Sequence, residues 1–490
     1  MSDQINNQLK ATGIAQVLVV LEPPIAAAAA SATAANAAGG LALSAATARA
    51  PELSGIENHF QNSELSMNSA LARAGMTRVA STGFAAASAS RRAKTPPAVL
   101  HFPNLGLMLG TVTREGLTGL RADQRVAKVM AAPQPRLIRP VHVAAAKLTT
   151  KTTWGIEFLQ VPKLWDQGLT GKGIRVAHLD TGADGKHPSL KKAIAAFAEF
   201  DSFGMQVSPD PAPFDTAEHG THTAATIGGR PALGRSIGVA PGCDIASAIV
   251  IEGGNVIARL LGGMDWAVSQ KVRILSMSLG IPFSPPMTEF LPILQILRAR
   301  NVLPVIAVGN EGAGTSRAPG NHPEPISVGA VDSKGVVADF SCSQRFIRPV
   351  DPLVPDLVAP GVDIISAKPG GGHQSMDGSS MATPHIAGLC ALLFEAAPNS
   401  TIAEVENAIY TSCTMASIPQ ERGNRGFPNA VRALAALTGV NADISTKGTA
   451  PKGGTKAPSK TAKKSGKKAG KKTSKKSSGK GAKKSSSKKK

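Results

Sequence analysis

The sequence predicts an α/β fold: a doubly wound, mainly parallel sheet, preceded by a small α+β domain and followed by a disordered Lys-rich tail. Three observations carry this. Between residues 151 and 440, short apolar runs alternate with helix-like stretches, the pattern of parallel strands covered by helices on both faces. Between 1 and 150, strand-like and helix-like stretches follow one another on a smaller scale. From about 441 the composition changes to Lys, Ser, Gly, Ala, Thr and Pro with no aromatic residue, and such a segment cannot bury enough apolar surface to fold alone.

In chain order, residues 14–21 read as a buried strand, and an Ala/Ser-rich low-complexity segment follows, loop or loose helix. Residues 99–102 and 105–113 read as strands, Leu117 and Leu120 mark a short helix, and 125–131 a further strand. Residues 140–153 form a polar, Lys-containing connector. In the larger region, strands are expected at 174–180, 274–280, 302–309, 326–331 and 363–366. The expected domains are therefore 1–150, 151–440 and 441–490.

At 490 residues and 42% hydrophobic content the chain has room for a large core. Its formal charge of +21 suggests a polyanion binder until it is located: residues 447–490 hold 18 of the 54 basic residues and no acidic one. The rest of the chain is close to neutral, so the basicity belongs to the tail. Without aromatic side chains to stack on bases, any nucleic-acid or other polyanion contact there would be phosphate-driven and sequence-blind. The four cysteines, Cys243, Cys342, Cys390 and Cys413, have no CxxC spacing and read as free, buried thiols. The first residues lack a basic region followed by an apolar one, and residues 25–48 are too often broken by Ser, Thr, Asn and Gly to span a membrane. A cytoplasmic location is the default expectation, with export by another route left open.

Four motifs carry chemistry. Asp180 ends the apolar run 174–180, and Gly182 permits a tight exit; a carboxylate at the C-terminal end of a parallel strand stands where open α/β sheets put functional groups. His219 opens Glu218-His219-Gly220-Thr221-His222, whose small residues suit a tightly packed helix. His219 and His222 share a face, but Gly220 and Thr221 stand between them where a paired-His zinc site usually has a Glu, and no metal ligand set is expected. Ser379 and Ser380 precede a stretch hydrophobic nearly all round, so either lies at a buried helix N-terminus, where developing negative charge is favoured. Asn310 follows a strand ending in Gly309 and projects an amide at the same sheet edge. Each residue taken singly has an ordinary structural role available: a strand-end cap, a satisfied core histidine, an N-cap, a turn asparagine.

Taken together, in the order Asp, His, Asn, Ser, they resemble the subtilisin family of serine endopeptidases, over about residues 151–440. The resemblance runs through Asp180-Thr181-Gly182, His219-Gly220-Thr221-His222, Gly238-Val239-Ala240-Pro241, Ser276-Met277-Ser278-Leu279-Gly280, Gly309-Asn310 and Gly378-Ser379-Ser380-Met381-Ala382. It implies that Ser380 rather than Ser379 is the nucleophile, His219 the general base, Asp180 its orienting carboxylate and Asn310 an oxyanion donor. It also implies that Ser278, Leu279 and Gly280 pair with an extended substrate, while Ala307, Val308 and Gly309 wall the main specificity pocket. By position, residues 1–150 resemble the family's inhibitory propeptide. No cofactor is implied. Calcium is unsupported where the family often has Asp, because this chain has Ser189. Two further departures are Ala225 in the His motif and Ile281 after Gly280, the latter expected to crowd the cleft.

Overall fold

The computed structural model describes residues 2–22, 53, 55–61, 98–147, 150–251, 253–282, 288–348 and 351–439. The Ala-rich segment and the Lys-rich tail lie outside them.

The N-terminal part is a four-stranded antiparallel sheet with the order β2-β3-β1-β4. Its elements are helix α1 (Ser2–Thr12), β1 (Ala15–Leu21), β2 (Val99–Phe102), β3 (Leu107–Val112), α2 (Arg114–Ala122) and β4 (Val126–Ala131). Alternation along the strands sorts its side chains: Val17, Val19 and Met108 pack with Ile5, Leu9, Leu117 and Leu120 of the two helices. Leu18, Leu107 and Leu109 face the other way and join the core of the larger part of the molecule. The four strands read from the sequence are present within a residue or two; α1, opening a polar stretch, was not expected. Two short strands then leave this sheet, β5 (Arg136–Leu137) and β6 (His142–Ala145).

Among the described residues the larger part is built on seven parallel strands in the order β17-β14-β12-β10-β7-β9-β8. In chain order its strands are β7 (Arg175–Asp180), β8 (Ile194–Glu199), β9 (Asp244–Ile249), β10 (Ile274–Met277), β11 (Leu279–Pro282), β12 (Leu303–Ala307), β13 (Arg317–Ala318), β14 (Ile326–Val331), β15 (Gln344–Arg345), β16 (Leu353–Val354), β17 (Leu357–Pro360), β18 (Ile364–Ala367) and β19 (His373–Asp377). The longer helices are α3 (His219–Gly228), α4 (Val256–Ser269), α5 (Leu291–Ala299), α6 (Ser379–Ala396), α7 (Ile402–Ser412) and α8 (Ala430–Thr438). Val176 of β7 joins the cluster under α3, α6, α7 and α8, while Ala177 and Leu179 join the cluster under α4 and α5. Both faces of the sheet are thus covered, which is why its strands read as continuous apolar runs.

Two expectations are corrected. The stretch at 363–366 forms β18, but it pairs antiparallel with β19 in a small separate sheet; β17 takes the edge of the large one. The connector expected at 140–153 is partly a strand, because β6 completes that small sheet against β19.

The first sheet is tied to α4 at Asp265. Asp265 accepts from the backbone N–H of Asn104 at 2.7 Å and of Leu105 at 3.1 Å, and from the Asn104 amide at 3.1 Å. Burial pushes the Asp265 carboxyl above its ordinary value despite these donors.

Candidate active site

Strand β7 delivers Asp180 to the C-terminal edge of the sheet, and α3 begins there with His219. Asp180 Oδ1 accepts from His219 Nδ1 and from the Thr181 N–H, each at 2.7 Å. Burial alone would push this carboxyl up; the charge of His219 and its hydrogen bond outweigh that and hold it below the ordinary value. Close approach of two backbones makes the contact. Gly182 has φ +107°, and a Cβ there would lie 2.3 Å from the Phe214 carbonyl; a Cβ on Gly220 would lie 2.0 Å from the Gly182 carbonyl. The other ring nitrogen, His219 Nε2, is buried and makes no hydrogen bond.

Ser380 is the second residue of α6 and is fully buried. Pro384 sits four residues on and has no N–H, so the Ser380 carbonyl loses its intrahelical partner. The Ser278 hydroxyl donates to that carbonyl instead, at 3.3 Å, joining the helix to the turn between β10 and β11. The Ser380 hydroxyl itself donates to the carbonyl of Ile138, at 2.8 Å.

Asn310 follows β12 through Gly309, whose φ of +120° turns the chain sharply. Its Oδ1 accepts from the Ser379 N–H at 2.9 Å and the Ser379 hydroxyl at 2.8 Å. That clamp leaves the amide Nδ2 pointing into the cleft, where it donates to the Arg139 carbonyl at 2.9 Å. Ser379, read from the sequence only as the nucleophile's rival, therefore fixes the orientation of Asn310. The signal was its place one residue before Ser380, but nothing in the sequence gave it a partner.

The chain's own residues 136–145 lie across Ser380 and Asn310. Strand β5 pairs antiparallel with β11, Leu137 opposite Leu279 and Arg136 opposite Gly280, and the Ile138 N–H donates to the Ser278 carbonyl at 3.0 Å. Beyond Pro140, the Val141 N–H donates to the Asp377 carbonyl at 2.8 Å and β6 continues along β19. The segment thus passes as an extended peptide between two strand edges, with the Ile138 side chain fully buried and Arg139 exposed. Its role was not legible in the sequence.

Of the expected walls, Ala307 and Val308 are fully buried, and a Cβ on Gly280 or on Gly309 would each lie 3.0 Å from the Arg317 side chain. Arg317 spans these two walls; its guanidinium donates to the Gly280 carbonyl at 3.3 Å and pairs with Glu311, which also accepts from the Asn310 N–H at 3.1 Å. This pair was missed, since Arg317 belongs to no motif and Glu311, next to Asn310, has no partner legible in the sequence. Ile281 pairs with Ala318 and packs against the core cluster on that side, so it is half-buried rather than free in the cleft.

His222 faces away from the site: its Nε2 is 2.8 Å from the Ile364 carbonyl, and burial lowers its pKa to about 3. Among the described residues no cluster of three or more His, Cys, Asp or Glu side chains forms a metal site. Ser189 is fully buried, and its carbonyl accepts from the Arg230 N–H at 2.8 Å; a hydroxyl in place of a carboxylate is a poor donor set for calcium. All four cysteines are free thiols, Cys413 only half-buried, and burial pushes Cys243 and Cys413 up to about 12. No described helix is long and apolar enough to cross a membrane.

Comparison with known proteins gives a family model described as the subtilase family, which matches residues 171–456. The "Intracellular serine protease" of Paenibacillus polymyxa is 38% identical over 276 residues, 54% of this chain and 80% of that protein. "Subtilisin E" of Bacillus subtilis (strain 168) is 32% identical over 302 residues, 60% of this chain and 74% of that protein. The "Major intracellular serine protease" of the same strain is 37% identical over 248 residues, 49% of this chain and 74% of that protein.

Proposed function

The chain belongs to the subtilase family and is a subtilisin-like serine endopeptidase acting on peptides or proteins, and from that premise we propose that Asp180, His219, Ser380 and Asn310 are its catalytic residues. In this reading His219 Nε2 takes the Ser380 proton as Oγ attacks the scissile carbonyl carbon. Asn310 Nδ2 and the Ser380 N–H stabilise the oxyanion. The tetrahedral intermediate collapses, the C–N bond breaks, and the amine leaves with the proton held by His219. Water, deprotonated by the same ring, then hydrolyses the acyl ester.

One observation carries the reading: an extended peptide of this chain lies against Ser278, Leu279 and Gly280 with the Ile138 carbonyl hydrogen-bonded to Ser380. Its arrangement is unproductive. The Ser380 proton points at a carbonyl oxygen instead of at His219, and Asn310 is engaged one carbonyl further on, at Arg139. This supports residues 1–150 as an inhibitory propeptide, 151–440 as the catalytic domain, and self-processing as the route to an open cleft. The pocket walled by Ala307, Val308 and Gly309 would take the side chain that precedes the cut bond. The Lys-rich tail, 441–490, would tether the enzyme to polyanions such as nucleic acid through salt-sensitive phosphate contacts. A cytoplasmic location is supported by the "intracellular" names of two relatives.

The test compares wild-type protein with Ser380→Ala. Wild type is expected to cut casein, to react with a serine-directed phosphonate and to shorten at its N-terminus; Ser380→Ala is expected to do none of these. Equal casein hydrolysis by both would overturn the site. An active wild type that retains residues 1–150 would overturn processing alone.

A further inference from the structure

Strand β7 and helix α3 make a second contact one layer behind the Asp180–His219 pair. His178 lies two residues before Asp180 and so on the same face of the strand, while Thr223 lies four after His219 and so on the same face of the helix. His178 Nε2 is 2.8 Å from the Thr223 hydroxyl, and His178 Nδ1 is 3.0 Å from the hydroxyl of Ser247, its register partner on β9. All three residues are at least 98% buried. A strand covered on both faces has no need of an imidazole, and burying one is unfavourable unless both nitrogens are satisfied.

What the imidazole serves is the far oxygen of the carboxylate. Asp180 Oδ1 already accepts two hydrogen bonds, from His219 and Thr181. Oδ2 has the Thr223 hydroxyl at 3.4 Å, with His178 Nε2 itself too distant at 3.8 Å. Thr223 carries one proton and has two helix carbonyls also in reach, His219 at 3.1 Å and Gly220 at 3.2 Å. The anion is the stronger acceptor. If Ser247 donates to Nδ1 and Nε2–H donates to Thr223, the threonine proton is left for Asp180, and every donor in the chain faces the carboxylate. Burial holds His178 below the ordinary histidine value against the opposing charges of Asp180 and Asp215, which keeps the ring neutral with one donor and one acceptor.

We infer that His178 and Thr223 are positioning residues for the catalytic carboxylate, a buried donor relay Ser247–His178–Thr223 that fixes Asp180 Oδ2 and so the plane in which Asp180 holds His219. The inference rests on the catalytic assignment above. It acts on the transition state, in which the imidazolium forms, and not on substrate affinity.

The test uses the full chain, with kcat, KM and melting temperature measured for Thr223→Val, Thr223→Ser, His178→Val and the double valine variant. Thr223→Val keeps the side chain's shape and is expected to lower kcat about tenfold or more with KM unchanged, while Thr223→Ser restores most of the rate. The double variant is expected to fall no further than Thr223→Val, since His178 acts through Thr223. A Thr223→Val enzyme within about twofold of wild-type kcat, whatever its melting temperature, would overturn the relay; so would additive losses in the double variant. An inactive wild type would instead sink the catalytic assignment and this inference with it.

Discussion

Ser380 and Ile138 stand 242 residues apart in the chain, and the hydroxyl of the first donates to the carbonyl of the second at 2.8 Å. The bond uses the proton that catalysis would hand to His219, whose Nε2 is left without a partner. On the proposed catalytic assignment, this is an unproductive contact between the nucleophile and a peptide of its own chain.

Ile138, fully buried, is the apolar anchor of the segment that lies over Ser380, alongside the segment's backbone pairing with β11 and β19. Burying such a side chain contributes about 1.5–3 kcal/mol, roughly ten- to a hundredfold in segment docking. Ile138→Asp puts a carboxylate in its place and is expected to raise the initial rate of the full-length protein on a short peptide substrate about tenfold or more. Equal progress curves for the two proteins would mean that this segment does not limit access.

The Ser379 clamp aims Asn310 Nδ2 into the cleft. Asn310→Ala is expected to lower kcat by about 10²–10³ with little change in KM, because the donor acts on charge that exists only in the transition state. Steady-state kinetics that show the loss in KM alone would remove Asn310 from the oxyanion role.

Gly182 couples stability to the site. With φ +107° and the Phe214 carbonyl 2.3 Å from any Cβ, Gly182→Ala must open the turn that follows Asp180. A loss of about 1–3 kcal/mol is expected, together with a fall in kcat. Denaturant melting with an unchanged midpoint would show that the turn absorbs a Cβ without strain.

Acid should destabilise the fold through two buried histidines. Burial lowers His385 to about 4 and His222 to about 3, against 6.5 for the ordinary side chain. Between these values the unfolded chain binds a proton that the folded one refuses, so stability falls as pH drops from 6.5 to about 4 for His385, and further for His222. The slope is at most about 1.4 kcal/mol per pH unit for each. In a Ser380→Ala background, to prevent self-digestion, His385→Leu is expected to flatten the melting-temperature curve between pH 6 and 4. An unaltered slope would assign the acid sensitivity to other groups.

Local pattern carried much of the fold. Apolar runs at 174–180, 302–309 and 326–331 are strands because both faces of a covered parallel sheet demand apolar side chains, and that demand is written residue by residue. The stretch at 363–366 shows where pattern fails: a short apolar run does not state its partner, and β18 pairs with β19 rather than with the large sheet. The catalytic candidates were legible because each sits in a dense local motif. Ser379, Arg317, His178 and Thr223 were not, because their meaning lies in partners contributed by other elements.

Motif order, and the family resemblance it carries, gave the family and the candidate nucleophile, base, carboxylate and oxyanion donor, while composition placed most of the net positive charge in the tail. Tertiary structure alone decided that Ile138 lies on Ser380, that Asn310 holds Arg139, and that a histidine–threonine pair backs Asp180. The reason is physical. Backbone propensity and burial are properties of neighbouring residues, whereas a hydrogen bond across a cleft depends on where two distant backbones come to rest, and Arg136–Leu137 acquires its strand only from the edge it meets.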